Sequence, residues 1–156
     1  MWPGLTLQIP FGSVPHLRSY PLGLYDQFVR TGRGEPMIRL TAMLRRNPAL
    51  TAEEFQAHWR DVHADKILSV PGVRSRLVRY EQHPRLAAGA NGWAGTEGFD
   101  GVAMQWYRGL DDFVAMTSDP GYQETIAPDE GRLLDLAGGV YLLTSEPRVI
   151  IEGLTD

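Results

Sequence analysis

Two strand–helix–strand units in tandem predict an α+β fold of the ferredoxin-like βαββαβ type, with a four-stranded antiparallel sheet and both helices on one face. Three observations carry that expectation. Met37–Arg46 and Gly101–Arg108 alternate in facing with the period of two that marks a strand. Thr51–Ile67 and Leu110–Ser118 instead carry apolar residues at helical spacing. The connections within each unit are short, as neighbouring elements of one layered domain require.

The body, residues 37–156, justifies these elements in order. In Met37–Arg46, Ile38, Leu40, Ala42 and Leu44 share one face, and Arg39, Thr41, Met43 and Arg45 the other. Asn47-Pro48-Ala49-Leu50 turns into the helix Thr51–Ile67. There Thr51 is the N-cap and Glu54, three residues on, completes a capping box. At about 100° per residue, Phe55, Trp59, Val62 and Lys66 form one stripe, flanked by His58 and His63. Val70-Pro71-Gly72 ends this helix, and Arg74–Gln82 follows as the second strand. His83–Asp100 is a long Gly- and Ala-rich break of the functional or mobile kind. Gly101–Arg108 is the third strand, with Val102, Met104 and Trp106 opposite Ala103, Gln105 and Tyr107. Leu110–Ser118 and Tyr122–Leu136 read as helices, the second interrupted or restarted at Pro128. Gly139–Ser145 is the fourth strand, and Arg148–Glu152 suits a further edge segment. The strand face away from the helices keeps large apolar groups, so a second copy of the sheet is expected to cover it in a homodimer.

Residues 1–36 are a region apart, an N-terminal arm or extension. They hold Pro3, Pro10, Pro15, Pro21 and Pro36 of the chain's 11 prolines, which forbids any long regular element. Their aromatic and aliphatic side chains argue against a purely disordered tail, so the arm is expected to pack on the body or on a partner. The other reading takes Met37 as the natural start.

Composition excludes several classes. A net charge of −4 with scattered Lys and Arg gives no basic stripe for nucleic acid. No apolar run reaches the roughly 20 residues of a membrane-spanning helix. The chain has no cysteine, which suits a cytoplasmic location and removes thiol chemistry and soft metal sites. His58 and His63 are five apart, about 140° round an ideal helix, which argues against a shared metal. The adjacent carboxylates Glu53–Glu54, Asp111–Asp112 and Asp129–Glu130 are accounted for as dipole partners near helix starts.

The order and spacing of several short motifs resemble the EthD-type members of the dimeric α/β-barrel superfamily, over Met37–Thr144. The resemblance rests on Leu44-Arg45-Arg46, Asn47 to Phe55 (NPALTAEEF), Trp59 with His63, Pro71-Gly72-Val73, Asp100-Gly101-Val102-Ala103, and Asp129-Glu130 with Asp135. This chain departs from the pattern at Ala64-Asp65-Lys66, where a proline and an aliphatic residue are common, and at His58, often an aromatic position. Both changes imply a more polar approach to the site. The resemblance implies an apolar, often aromatic ligand held between sheet and helices, with no metal, nucleotide or other cofactor. Relatives include a protein of bacterial ether degradation and polyketide cyclases, decarboxylases and cofactor-free monooxygenases.

These considerations define the candidate residues. His63 is the general acid/base, because an imidazole titrates near neutrality and a helix C-terminus favours its protonated form. Tyr80 and Tyr107 are donors to a developing phenolate or enolate oxygen. Phe55, Trp59, Trp106 and Phe113 are expected to line an apolar pocket for a planar compound, with His58 at its edge and Arg79 as anchor for a carboxylate. The chemistry this set suits is proton transfer: cyclisation, dehydration or decarboxylation. A non-catalytic binder of a hydrophobic metabolite, an accessory protein of a degradation or biosynthesis pathway, and a cofactor-free or haem-linked monooxygenase are the competing readings.

Overall fold

The computed structural model describes residues 37–86 and 98–151. The arm, its expected packing and most of the long break after His83 therefore lie outside the described residues. The first strand, β1 (Ile38–Leu44), leads to a helical run, α1, in three end-to-end pieces. These are an α-helix (Ala52–Ala57), a π-helical turn (His58–His63) and a second α-helix (Ala64–Ser69). A four-residue helix, α2 (Pro71–Arg74), precedes β2 (Leu77–Pro84). Then come β3 (Gly101–Tyr107), α3 (Leu110–Thr117), and α4, which joins a π turn (Tyr122–Ile126) to an α-helix (Ala127–Leu133). The last strand is β4 (Val140–Thr144).

The sheet order is β2-β3-β1-β4, with every pairing antiparallel. That is the ferredoxin-like arrangement the tandem units predict. Register fixes which side chains meet. Ala42 pairs with Ala103 and Tyr141, and Leu40 with Gln105 and Leu143. Tyr80 pairs with Gln105 on the other edge. The core lies between this face and α1, where Ala42, Leu44, Phe55, Trp59, Ala103 and Leu133 are buried together. Phe55 stacks on Trp59 with ring centroids 5.5 Å apart. Trp59 in turn needs Gly101 beneath it, since a Cβ there would come within 2.6 Å of the indole.

Local chemistry explains the start of α1. Glu54 N–H donates to Thr51 Oγ1 at 3.2 Å, and Thr51 N–H donates to Glu54 Oε2 at 2.8 Å, which closes the expected capping box. Beyond it the π turn changes the pattern. An i→i+5 turn carries more residues than an α-helical one, so the buried stripe runs Phe55, Trp59, His63, Ile67. Val62, expected on the stripe, is instead exposed. The same widening brings His58 and His63 onto one side, so they are closer in facing than the 140° of an ideal helix.

Other boundaries differ for identifiable reasons. Pro71 does not simply end α1. It serves as the first helical residue of α2, where its missing N–H costs nothing, and the second strand therefore begins only at Leu77. Pro128 begins a new piece, as expected: it lies in the first turn of the α-helix Ala127–Leu133 that follows the π turn, where its missing N–H costs little. That helix ends at Leu133, and residues 148–151 form no strand. Gly109 precedes α3, whose Phe113 packs edge-on against Tyr107, ring centroids 5.4 Å apart.

Candidate functional site

The π turn of α1 packs against the α-helical part of α4, and between them lies a buried carboxylate. On α4 the buried residues Tyr122, Ile126, Asp129 and Leu133 follow helical spacing, so Asp129 sits in an apolar stripe with its side chain only 1% exposed. A buried charge needs partners. Asp129 Oδ2 accepts from His63 Nδ1 at 2.9 Å, and Oδ1 accepts from His58 Nε2 at 2.9 Å and from Lys66 Nζ at 2.5 Å. Three donors from successive turns of α1 thus converge on one carboxylate of α4.

The electrostatics follow from this packing. Burial by itself would raise the Asp129 carboxyl, but the hydrogen bonds from Lys66, His63 and His58 outweigh it and bring it down to about 2. Asp129 is therefore ionised at neutral pH, and the ring nitrogens that face it must carry hydrogens. His63 is lowered from its ordinary value, with burial as the leading cause and the Asp129 interaction acting against it. This corrects the expectation of a dipole-raised imidazole. The α-helix continues from Ala64 to Ser69, so His63 is not at a helix end, and desolvation dominates. A neutral His63 with Nδ1–H on Asp129 keeps its Nε2 lone pair as a proton acceptor, and Nε2 has no hydrogen-bond partner among the described residues.

Next to this hub is a second carboxyl in a tyrosine cluster. Tyr122 hydroxyl is 2.7 Å from Glu130 Oε2. Burial, together with the neighbouring Asp129 charge, pushes Glu130 up to about 7 against the Tyr122 hydrogen bond. Burial first, and the Glu130 carboxylate second, raise Tyr107, Tyr122 and Tyr141, the last to about 12. Tyr80 is raised as well, by burial above all. Its hydroxyl accepts from Gln82 Nε2 at 3.1 Å, and the same amide donates to the Trp59 carbonyl in the π turn at 2.8 Å. Tyr107 hydroxyl contacts Gln105 Oε1 and lies 3.4 Å from Met116 Sδ. These tyrosines remain neutral at physiological pH.

The candidate residues of the sequence thus separate into groups. His63 and His58 meet on Asp129. Tyr80 and Tyr107 point to the same helix-facing side of the sheet, near Glu130. Phe55, Trp59 and Phe113 are buried core residues packed against aromatic neighbours. Trp106 and Arg79 are on the opposite face, paired across β2 and β3, with the Arg79 guanidinium 5.3 Å from the Trp106 ring centroid and in contact with Glu81. They share no pocket with Phe55, Trp59 and Phe113, because the period of two turns them away from the helices. An open groove of about 380 Å³ lies along α1, lined by Asp61, Val62, Asp65, Lys66 and Ser69. Through Lys66 it borders the Asp129 hub.

Asp129 and Glu130 are functional candidates that the reading as dipole partners passes over. The signal is present in the sequence: Ile126, Asp129 and Leu133 fall on one helical stripe, which marks Asp129 as inward-facing. Asp100 is the other carboxylate buried as a residue among the described residues, but it is structural. Its Oδ2 accepts from Arg46 N–H at 2.9 Å and its Oδ1 contacts the Arg46 guanidinium, which fixes the end of β1.

Fold and site together define a ferredoxin-like α+β protein with a buried His–Asp pair between its two long helices. The EthD domain family matches residues 47–137, and the chain belongs to that family. It is 26% identical over 113 residues to the dehydratase aurZ of Gibberella zeae, covering 67% of this chain and 74% of that protein. Among solved structures it is similar to the hydroxynitrile lyase of Passiflora edulis (TM-score 0.55, 13% identity, 75% of this chain and 99% of that one). It is also similar to a dimeric ferredoxin-like protein of unknown function from Bacteroides fragilis (TM-score 0.53, 12% identity, 70% and 96%). Both structural likenesses are of fold.

Proposed function

We propose that this protein is a cofactor-independent enzyme that moves protons on an apolar aromatic or polyketide-like substrate, with dehydration the favoured outcome and cyclisation or decarboxylation the related ones. The carrying observation is the buried His63–Asp129 pair. Asp129 fixes the His63 tautomer and stabilises the imidazolium that forms when Nε2 takes a proton, and burial keeps the imidazole neutral beforehand. Tyr80, held neutral and only partly buried, is the donor for the oxygen on which negative charge develops. Tyr107 is instead fully buried, with its hydroxyl donating to Gln105 Oε1, and is not in reach of a ligand. Similarity to a dehydratase supports the reaction class. Because His63 bonds a carboxylate rather than backbone alone, the arrangement favours chemistry over simple ligand storage.

The same proposal includes a homodimer in the cytoplasm. Opposite the helices, Met43, Val140 and Leu142 are exposed beside the partly buried Val102, Met104 and Trp106. A second copy of this sheet is the natural cover for such a face, and the Bacteroides fragilis relative in fold is dimeric.

The test is a screen of aromatic and polyketide-like acids against the wild type and His63→Ala, following binding and turnover together. Turnover by the wild type, lost with binding retained in His63→Ala, is the expected result. Binding without turnover in both forms would move the protein to the class of hydrophobic-ligand carriers.

A further inference from the structure

Among the described residues, part of the sheet face under the helices is only partly covered. On β1 the helix-facing residues Ala42 and Leu44 are buried, but Ile38 and Leu40 on the same face are only partly so. Leu40's cross-strand neighbours Gln105 and Leu143 are likewise partly exposed. Ile38, Leu40 and Leu143 with the Gln105 amide therefore form a partly accessible apolar strip. Glu130 belongs to this region. Its carboxyl bonds the Tyr122 hydroxyl at 2.7 Å, and it interacts with Tyr80 of β2, Tyr107 of β3 and Tyr141 of β4. Glu130 itself is only partly buried as a residue, and Tyr141 is 42% exposed, so the cluster has an outlet along the β4 edge.

We infer that Glu130 is a second proton-handling group of the site, a neutral carboxylic acid that donates to the oxyanion of an aromatic ligand lying on Leu40, Gln105 and Leu143. The inference rests on the proton-transfer reading and adds the acid that reading lacks. When a substrate C–H proton passes to His63 Nε2, the electron pair moves to the adjacent carbonyl oxygen. That oxygen takes the carboxyl proton of Glu130 and becomes an enol. Glu130 is left as a carboxylate that accepts from the Tyr122 hydroxyl. It regains its proton from water as the His63 imidazolium releases its own to water, so both groups return to their starting states. Few charges compete with it. Among the described residues, the groups that interact with Glu130 are the four tyrosines and Asp129, and the charge on Asp129 is already shared among His58, His63 and Lys66.

The test is the affinity of the full chain for 2-naphthoate, an aromatic anion that stays ionised from about pH 5.5 to about pH 8.5. The wild type should bind it most tightly at the acid end and lose up to about tenfold in affinity per pH unit once Glu130 ionises, above about pH 7. Glu130→Gln, which keeps size and a donor, should bind with nearly constant affinity across the range. His63→Ala should keep the wild-type pH dependence. Equal pH dependence in the wild type and Glu130→Gln, or no saturable binding by the wild type, would overturn the inference. Its failure is distinguishable from that of the proposed function. Probe binding with the expected pH dependence but no turnover of any substrate would keep the acid and remove the enzyme, and turnover with an unaltered pH dependence in Glu130→Gln would do the reverse.

Discussion

Asp129→Asn is the perturbation whose consequence can be worked furthest. The substitution preserves volume and removes the charge that His58, His63 and Lys66 share. In the folded protein this carboxyl is lowered from 3.8 to about 2. Each tenfold change in proton affinity is worth about 1.4 kcal/mol. The ionised Asp129 therefore contributes about 2–3 kcal/mol to stability at neutral pH. Because the folded value is the depressed one, this contribution is fully present above the unfolded value of 3.8 and is lost as pH falls towards about 2. Urea denaturation of the wild type and Asp129→Asn at pH 7 should differ by about that amount, and the gap should close on acidification to about pH 2. In thermal unfolding the same difference is a drop of roughly 5–10 °C for a protein of this size. Equal stability at pH 7 would refute the reasoning. So would a gap of constant size down to pH 2, because it would mean the loss comes from packing and not from charge.

Three further outcomes are expected. Thr51→Ala removes one half of the capping box and should cost about 1 kcal/mol in chemical denaturation, with little effect on ligand binding, because the cap is exposed and distant from Asp129. Gly101→Ala places a methyl against the Trp59 ring and the His83 carbonyl, and should destabilise by about 1–3 kcal/mol, read as a lower thermal midpoint. Leu142→Glu puts a charge on the exposed sheet face and should convert a dimer to a monomer in light scattering at micromolar concentration. A wild type that is already monomeric there would remove the sheet-on-sheet contact from the account.

The strands were legible because a half-buried sheet imposes a period of two, and β1 and β3 show it without interruption. The Thr51–Glu54 box gives the start of α1 for a similar reason, being a local chemical event. What sequence did not reveal was the helical phase. The π turn at His58–His63 contains no proline or glycine, and an ideal helix drawn through it puts Val62 inside and separates His58 from His63. The observed turn exposes Val62 and aims both histidines at Asp129. Trp106 illustrates a second limit. Its strand was assigned correctly, but facing along β3 puts it with Val102 and Met104, away from the helices, so it cannot line a pocket with Trp59. Asp129 was masked by a sufficient local explanation, since a carboxylate near a helix start suits the dipole whether or not it also faces inward. His63 was placed correctly on α1, while its pKa direction depended on a burial that only tertiary packing supplies.

The central claim is that His63 takes a proton from carbon, and deuterium exchange measures that step without knowledge of the natural product. The protein would be incubated in D2O with benzoylacetone, an aryl 1,3-diketone, and label at the carbon between the carbonyls followed by NMR above the buffer background. Exchange accelerated by the wild type and returned to background in His63→Ala, with that variant still folded, is the predicted result. Equal exchange in the two proteins would contradict the assignment of His63 as the proton acceptor, and with it the enzyme built around the His63–Asp129 pair.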